Sequence, residues 1–389
     1  MSPKINLIFI GESYLGGMAG SKRIQNIINP LMQMGNISIS NFIAINANET
    51  SVMNGVNNGV VYKKARYSAN PITLFIFFLK GCRFMLRSKK KVSKNILYCY
   101  DTPNFLTFPF LCFAKLINIK TVVDLVEDYT LVDTSTMSFT KKMKLGMQDL
   151  LLKKIYVYSD AVLVLSNYLK KLMEAKVKNR IPVYFMPITV DMHQFQKIKE
   201  RNAKVIKLFY GGSFGDKDGI LYLLQAFEVV CKEFPDIEFV LTGKPPKAGM
   251  QVVLDHINRS EVKNKIKYLG YLSDDEYYKT MNSCDIFCAT RINSKYANAG
   301  FPFKLGEMLA TGKPVLTSDV GDVGTYLKNK VNAIIVTPES VTEIVEGLAF
   351  LLKHPDEAGA IGSKGWAVAD KYFNAEKRVV ELKEFMLSI

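Results

Sequence analysis

The chain alternates short runs of β-branched and aromatic residues with longer stretches whose apolar positions recur every three or four residues. In the first half the short runs are 5–10, 38–45, 95–100, 120–124, 161–165 and 183–186. Helical spacing occupies 21–34, 104–118, 139–156 and 169–176 between them. This alternation predicts βαβ units and a parallel sheet. After Pro187-Ile188-Thr189-Val190-Asp191 comes a polar stretch, 196–203, rich in Lys and Glu, and then the same grammar begins again. Strands are expected at 207–210, 238–242, 285–289, 314–317 and 333–336, with another ending at Tyr268 and Leu269. Helices are expected at 220–234, 274–282 and 304–310. Two such sets predict an α/β chain of two doubly wound domains facing across a cleft, at 1–195 and 196–370. In these sheets ligands bind at the loops after strands.

Composition narrows the class. With 389 residues, 48% hydrophobic and 22% charged, the chain is globular rather than disordered, and long enough for two cores. No stretch approaches the ~18 apolar residues of a membrane span. The apolar run at 5–10 is too short for a secretion signal, so a cytoplasmic location is expected. The six cysteines include no CxxC pair, as expected of buried reduced thiols. Charge is uneven. Residues 1–190 hold 25 Lys and Arg against 10 Asp and Glu, and 51–100 hold ten basic residues and no acidic one. The excess of positive charge belongs to the first domain.

Three glycine-bearing loops are candidates for chemistry. Gly11 to Arg23 follows the first strand, with Gly16, Gly17 and Gly20 able to approach a ligand closely. Gly211 to Gly219 follows the first strand of the second half and adds Lys217. Neither has dinucleotide-fingerprint or P-loop spacing, and each reads equally as a strand-to-helix turn. The third, Ala299-Gly300-Phe301-Pro302-Phe303-Lys304-Leu305-Gly306-Glu307, sets a lysine at a helix start and a carboxylate one turn in. Amides and Lys304 suit a diphosphate, and Glu307 suits two vicinal hydroxyls or the helix dipole.

Residues 299–316 resemble the signature of family 4 (group 1) glycosyltransferases, EGFGLPPLEAMACGTPVV in its usual form. Glu307 falls on the second glutamate, and Gly312 and Pro314 on its Gly and Pro. The resemblance, closest to an FPxKLxE-type variant, extends through 207–225, Leu241-Thr242-Gly243, 268–273 and 284–287, with Pro187 to Asp191 similar to the linker and Gly16 to Arg23 to the acceptor-side loop. It implies the GT-B fold, with a C-terminal helix over 371–389 returning to the N-terminal domain. It implies retaining transfer of a sugar from a nucleotide-sugar donor to a glycan or polyprenyl-linked acceptor in cell-surface polysaccharide synthesis, without a metal or other cofactor. Gly212, Ser213 and Lys217 would hold the donor diphosphate, and backbone around Gly243, Tyr268 and Gly270 the base. Gly300, Phe301, Pro302, Phe303, Lys304 and Leu305 would serve phosphates and sugar, with Glu307 on the ribose. Gly16, Gly17, Arg23 and Glu127 would lie on the acceptor side.

The chain departs from the family in three places. Ser213 stands where arginine is common and Ala299 where the first glutamate is usual. Its histidines are His193, His256 and His354, so the first domain lacks the family's usual one. Carboxylates in 122–128 stand in that region. Asp128 or Glu127 either touches sugar or acceptor, or caps the next segment. Rival readings are an epimerase of the same fold, a soluble transferase making a small metabolite, and a non-catalytic sugar-nucleotide-binding partner.

A stripe of Leu74, Phe75, Phe78, Leu79, Cys82, Met85 and Leu86 precedes Lys89, Lys90, Lys91 and Lys94. An amphipathic helix with a basic flank predicts peripheral attachment through 71–94 to the anionic inner face of a membrane, while packing of the stripe on the sheet is the other reading. Nucleic-acid binding is not expected, because the sequence shows no recognised binding module and no aromatic platform among the charges.

Overall fold

The computed structural model describes residues 4–389 except 12, 16–18, 47–52, 69, 92, 133, 136, 196–204, 216 and 244–246. The polar stretch expected to join the domains, 196–203, therefore lies outside the described residues. Two compact units form, one of Met1–Pro187 with Ala375–Ile389 and one of Ile188–Asn374. Their limits fall at 187/188 and 374/375, where the sequence pattern suggested 195/196 and 370/371.

Unit 1 contains β1 (Lys4–Ile10), β2 (Ile37–Asn46), β3 (Asn54–Asn57), β4 (Val60–Tyr67), β5 (Ser93–Tyr100), β6 (Lys120–Leu125), β7 (Ala161–Val164) and β8 (Val183–Phe185), in the order β3-β4-β2-β1-β5-β6-β7-β8. All neighbours are parallel except β3 with β4. The central strands are apolar at nearly every position, as a sheet covered on both faces requires. Leu7, Phe9, Ile96, Tyr98 and Val122 are buried against Ile24, Ile27 and Leu31 of the helix Ala19–Gln33. The last helix, Ala375–Ser388, puts Val379, Leu382 and Met386 into that same core.

The sequence reading omitted β3 and β4. They form a hairpin closed by Asn58 and Gly59, both at positive φ (46° and 78°), as a tight turn matching strand twist demands. The stripe expected over 74–86 lies on the helix Pro71–Ser88. It has two faces. Phe77, Cys82, Phe84 and Met85 are buried, while Ile72, Phe75, Ile76, Leu79 and Leu86 are exposed.

Unit 2 contains β9 (Ile206–Gly211), β10 (Ile237–Thr242), β11 (Ile266–Tyr268), β12 (Ile286–Ala289), β13 (Val315–Ser318) and β14 (Ile334–Val336). The order is β11-β10-β9-β12-β13-β14, with every pair parallel. The chain runs outward from β9 to one edge and returns to start again at β12. The switch point between β9 and β12 is where a doubly wound sheet offers its carboxyl-end crevice.

Candidate functional site

Two segments emerge at that switch point. The loop after β9 carries Gly212, Ser213 and Lys217, and the segment after β12 leads to the helix Phe303–Ala310. They are stapled together. Gly219 N donates to Thr290 O at 3.2 Å, Thr290 Oγ1 to Gly219 O at 3.1 Å, and Ile292 N to Lys217 O at 3.2 Å. Asp218 and Arg291 form an antiparallel bridge. Asp218 Oδ2 accepts from Ser213 Oγ at 3.0 Å and Gly215 N at 3.1 Å, closing the loop on itself. Phe214, at φ +50°, turns its ring inward to stack on Tyr210 with centroids 5.6 Å apart. The loop is thus shaped by Phe214 and Asp218 as well as by its glycines.

The carboxyl ends of the neighbouring strands are knitted as closely. Gly212 N donates to Thr242 O at 3.0 Å and Gly243 N to Gly270 O at 2.9 Å. Tyr268 Oη reaches Gly243 O at 3.0 Å. Gly243 has φ +152°, and a Cβ there would run into the Gly212 carbonyl. Only glycine lets the two backbones pass so closely. Gly212, Gly243, Tyr268 and Gly270 therefore sit side by side.

The helix Phe303–Ala310 begins at Pro302, and the preceding short helix Lys295–Ala299 ends at Gly300. Phe301 and Leu305 are buried, with Phe301 against Tyr326 and Phe373. Their side chains build the turn, leaving backbone, half-buried Phe303 and half-buried Lys304 for a ligand. A helix N-terminus supplies amide donors and positive potential. Lys304 Nζ lies 4.2 Å from the centroid of the Tyr277 ring, and Lys217 Nζ 4.6 Å from that of Tyr296. Each ammonium is thereby positioned over an aromatic face.

Glu307 is only 4% exposed. Its two oxygens are met one each by a tyrosine pair, Tyr277 Oη at 3.2 Å from Oε2 and Tyr278 Oη at 3.4 Å from Oε1. Burial, reinforced by the Glu307 charge, raises both tyrosine pKa values, so the hydroxyls remain donors. Two hydroxyls, one on each oxygen, is also the arrangement that a vicinal diol presents. Tyr277, Tyr278, Tyr296 and Asp218 were not singled out in the sequence. The adjacent tyrosines behind a Ser273 capping box were the one available sign.

One expectation for unit 1 is corrected. Arg23 is not on a ligand-facing surface: it is 1% exposed, bidentate to Asp124 at 2.6 and 2.9 Å, and donates to Met186 O and Pro187 O. Tyr98 Oη adds a bond to Asp124 at 2.6 Å. A buried guanidinium needs such a partner, so Arg23 organises the core. Asp128 takes up the capping position. Its Oδ1 accepts from Thr130 N and Oγ1 at 3.0 and 2.6 Å, starting the 3-10 turn Tyr129–Leu131, and its Oδ2 accepts from Tyr168 Oη at 2.9 Å. Glu127 is half-buried beside it, and Gly16 and Gly17 lie outside the described residues. Of the lysines expected to face headgroups, Lys89, Lys90 and Lys91 are exposed, and Lys89 and Lys94 donate to Ile117 O and Leu387 O, each at 2.6 Å.

Comparison with known proteins bears on this geometry. Residues 191–366 match the model for glycosyl transferases group 1. An uncharacterized glycosyltransferase YqgM of Bacillus subtilis is 23% identical over 209 residues, 53% of this chain and 55% of that one. A phosphatidylinositol N-acetylglucosaminyltransferase component of Homo sapiens is 21% identical over 288 residues, 73% of this chain and 55% of that one. The aligned region thus spans about half the length of these curated relatives. Anabaena Alr3699/HepE, solved in complex with UDP and glucose, superposes with a TM-score of 0.72 at 13% identity over 98% of this chain and 99% of that one, which shows the fold. Residues 191–366, nearly all of unit 2 with its glycine loops, thus form a domain of the group 1 glycosyl transferase kind, in a chain whose two doubly wound sheets share the GT-B fold.

Proposed function

We propose that this protein is a retaining glycosyltransferase that takes a sugar from a nucleoside diphosphate sugar and attaches it to a glycan or lipid-linked acceptor in cell-surface polysaccharide synthesis. The observation that carries the reading is the grouping of Lys304, Tyr277 and Glu307 at the head of the helix after β12. A cation suits the diphosphate, and one turn further a carboxylate suits the ribose diol. UDP in the solved Anabaena protein makes a uridine donor the first to test.

In the proposed reaction the bond from the anomeric carbon to the diphosphate oxygen breaks, and that oxygen keeps the electron pair. The acceptor oxygen bonds the same face of the anomeric carbon, and its proton passes to the departing phosphate oxygen. What the protein must supply is positive potential where charge grows. Lys217, Lys304 and the helix N-terminus meet that need without a metal or other cofactor, and the leaving group itself serves as base.

Unit 1 is the acceptor and membrane side in this reading. On Pro71–Ser88 the exposed Ile72, Phe75, Ile76 and Leu79 keep helical spacing and are followed by exposed Lys80, Arg83 and Arg87. An apolar stripe bordered by cations suits the interface of an anionic bilayer, here the cytoplasmic face of the cell membrane. Phosphatidylinositol in the name of the human relative supports a membrane-borne acceptor. The test is to incubate purified protein with radiolabelled UDP-sugars and membrane lipid extract. Label in the lipid or glycan fraction, with free UDP released in step, is expected. Nucleotide binding without transfer under any donor would favour a non-catalytic binding partner.

A further inference from the structure

The loop between β9 and the helix Ile220–Glu233 carries an anion of its own. Asp218 is half-buried, and its Oδ2 accepts from Ser213 Oγ at 3.0 Å and from Gly215 N at 3.1 Å. A third donor is the buried hydroxyl of Tyr210, which hydrogen-bonds Asp218 and which burial keeps protonated. Gly212 makes room for that hydroxyl, since a Cβ there would lie 2.6 Å from Tyr210 Oη. One carboxylate thus gathers an aliphatic hydroxyl, a backbone amide and a phenol, the donor types that phosphate oxygens also take.

The two residues that Oδ2 holds, Ser213 and Gly215, flank Phe214, which sits at φ +50°. A bulky residue keeps that left-handed conformation only where its surroundings enforce it. Here the carboxylate grips the turn on both sides of Phe214, while the ring stacks inward on Tyr210. The conflict with donor binding lies at Ser213. A serine hydroxyl has one proton to donate, and this one goes to Asp218. A diphosphate at the end of β9 needs the same proton, and is repelled by a carboxylate held beside it.

We propose that the Asp218 carboxylate is an intramolecular stand-in for the donor diphosphate, holding Ser213 Oγ and Gly215 N until the diphosphate displaces it from both. This rests on the donor reading given above and adds to it a brake on donor affinity. Tyr210 and Arg291, the residue bridged to Asp218 across the staple, remain to hold the carboxylate once Oδ2 has let go.

The experiment is isothermal titration of UDP into wild type, Asp218→Asn, Ser213→Ala and the double variant, together with crystals of the wild-type complex with UDP. Asparagine keeps an acceptor oxygen for Ser213 and Gly215 and removes the charge, so the turn stays formed, which thermal unfolding checks. UDP affinity should rise about threefold or more in Asp218→Asn, as removal of a nearby like charge requires. Ser213→Ala should cost less than about twofold in wild type, where a bond to phosphate is gained only by giving up a charged one to Asp218. Beside Asp218→Asn it should cost about fivefold or more, because the bond given up is then neutral and weaker. In the crystals Ser213 Oγ should lie on a phosphate oxygen and beyond hydrogen-bond reach of Asp218 Oδ2. A carboxylate that only shapes the turn would leave UDP affinity unchanged or lower in Asp218→Asn, with the same cost of Ser213→Ala in both backgrounds. Either result overturns the proposal while leaving the donor reading intact, as does a UDP complex in which Asp218 still holds Ser213 and Gly215. A wild type and an Asp218→Asn variant that both bind no nucleoside diphosphate overturn the donor reading, and this proposal with it.

Discussion

Tyr277 serves two charged groups of opposite sign. Its hydroxyl donates to Glu307 Oε2 at 3.2 Å, and the face of its ring lies 4.2 Å from Lys304 Nζ. Because Lys304 and Glu307 are one helical turn apart, the tyrosine fixes the spacing between the cation and the carboxylate proposed to read the two ends of a nucleoside diphosphate. Tyr277→Phe keeps the ring and removes the hydroxyl. One hydrogen bond to a charged group is worth about 1.5–3 kcal/mol net, which corresponds to roughly 10- to 150-fold, and part of that is taken up by Tyr278. We expect UDP affinity to fall about three- to tenfold and the melting temperature to drop by a few degrees, as loss of one buried hydrogen bond requires, read by calorimetry and thermal unfolding.

The buried pair Arg23–Asp124 predicts a stability effect of a different size. Each charge is desolvated and relies on the other, with Tyr98, Met186 and Pro187 completing the bonds. Removing one partner leaves the other buried and uncompensated, at a cost of about 3–5 kcal/mol. Urea unfolding of Arg23→Met should show that loss in the transition of unit 1. Restoring neutrality in Arg23→Met with Asp124→Leu should recover part of it, because two well-packed apolar groups remove the stranded charge.

The pH dependence of stability has a definite sign at Asp101. Burial pushes its carboxyl up to about 6, Glu127 and Asp124 add to the rise, and the Tyr129 hydroxyl and Thr102 amide oppose it. In the unfolded chain an aspartate titrates near ~3.9. The native state therefore holds the proton to higher pH, so this contribution to stability is complete below about 4 and lost as pH rises through about 6. Asp101→Asn cannot lose it. The melting temperature of the variant relative to wild type should be higher at pH 7 than at pH 4.5, and an equal difference at both would contradict the assignment.

Membrane attachment is expected to need both halves of the exposed surface of Pro71–Ser88. Phe75 is 61% and Leu79 49% exposed. Phe75→Ser with Leu79→Ser should reduce sedimentation with vesicles containing phosphatidylglycerol at least fivefold, and Lys90→Gln with Lys91→Gln should reduce it further at low salt. Lys89→Gln and Lys94→Gln should matter less, since their ammonium groups hold Ile117 and Leu387 carbonyls.

Most of both sheets could be read from the sequence because buried parallel strands are continuous apolar runs, and 5–10, 95–100 and 120–124 match β1, β5 and β6 within two residues. β4 escaped because only the short, exposed β3 lies beyond it and most of its side chains are not buried, so it carries Lys63, Lys64 and Arg66 among its apolar residues, although Asn58-Gly59 announced its hairpin. The stripe over 74–86 was assigned to one face because apolar residues cover most of that helix, and only packing separates Phe77 from Phe75. In unit 2 the glycines and Glu307 were visible through their spacing. The tyrosines that hold Glu307 come from another helix, and no local pattern pairs residues 29 and 30 positions apart. Arg23 was misplaced for the same reason, its partner being 101 residues away.

The claim at the centre of this account is that Glu307 holds the nucleoside of a bound diphosphate, and isothermal titration of UDP into wild type and Glu307→Gln tests it most directly. The account predicts saturable binding to wild type and at least a tenfold loss in the variant, about 1.4 kcal/mol, with the fold intact by circular dichroism. Equal affinities, or a wild-type protein that binds neither UDP nor any other nucleoside diphosphate, would contradict it.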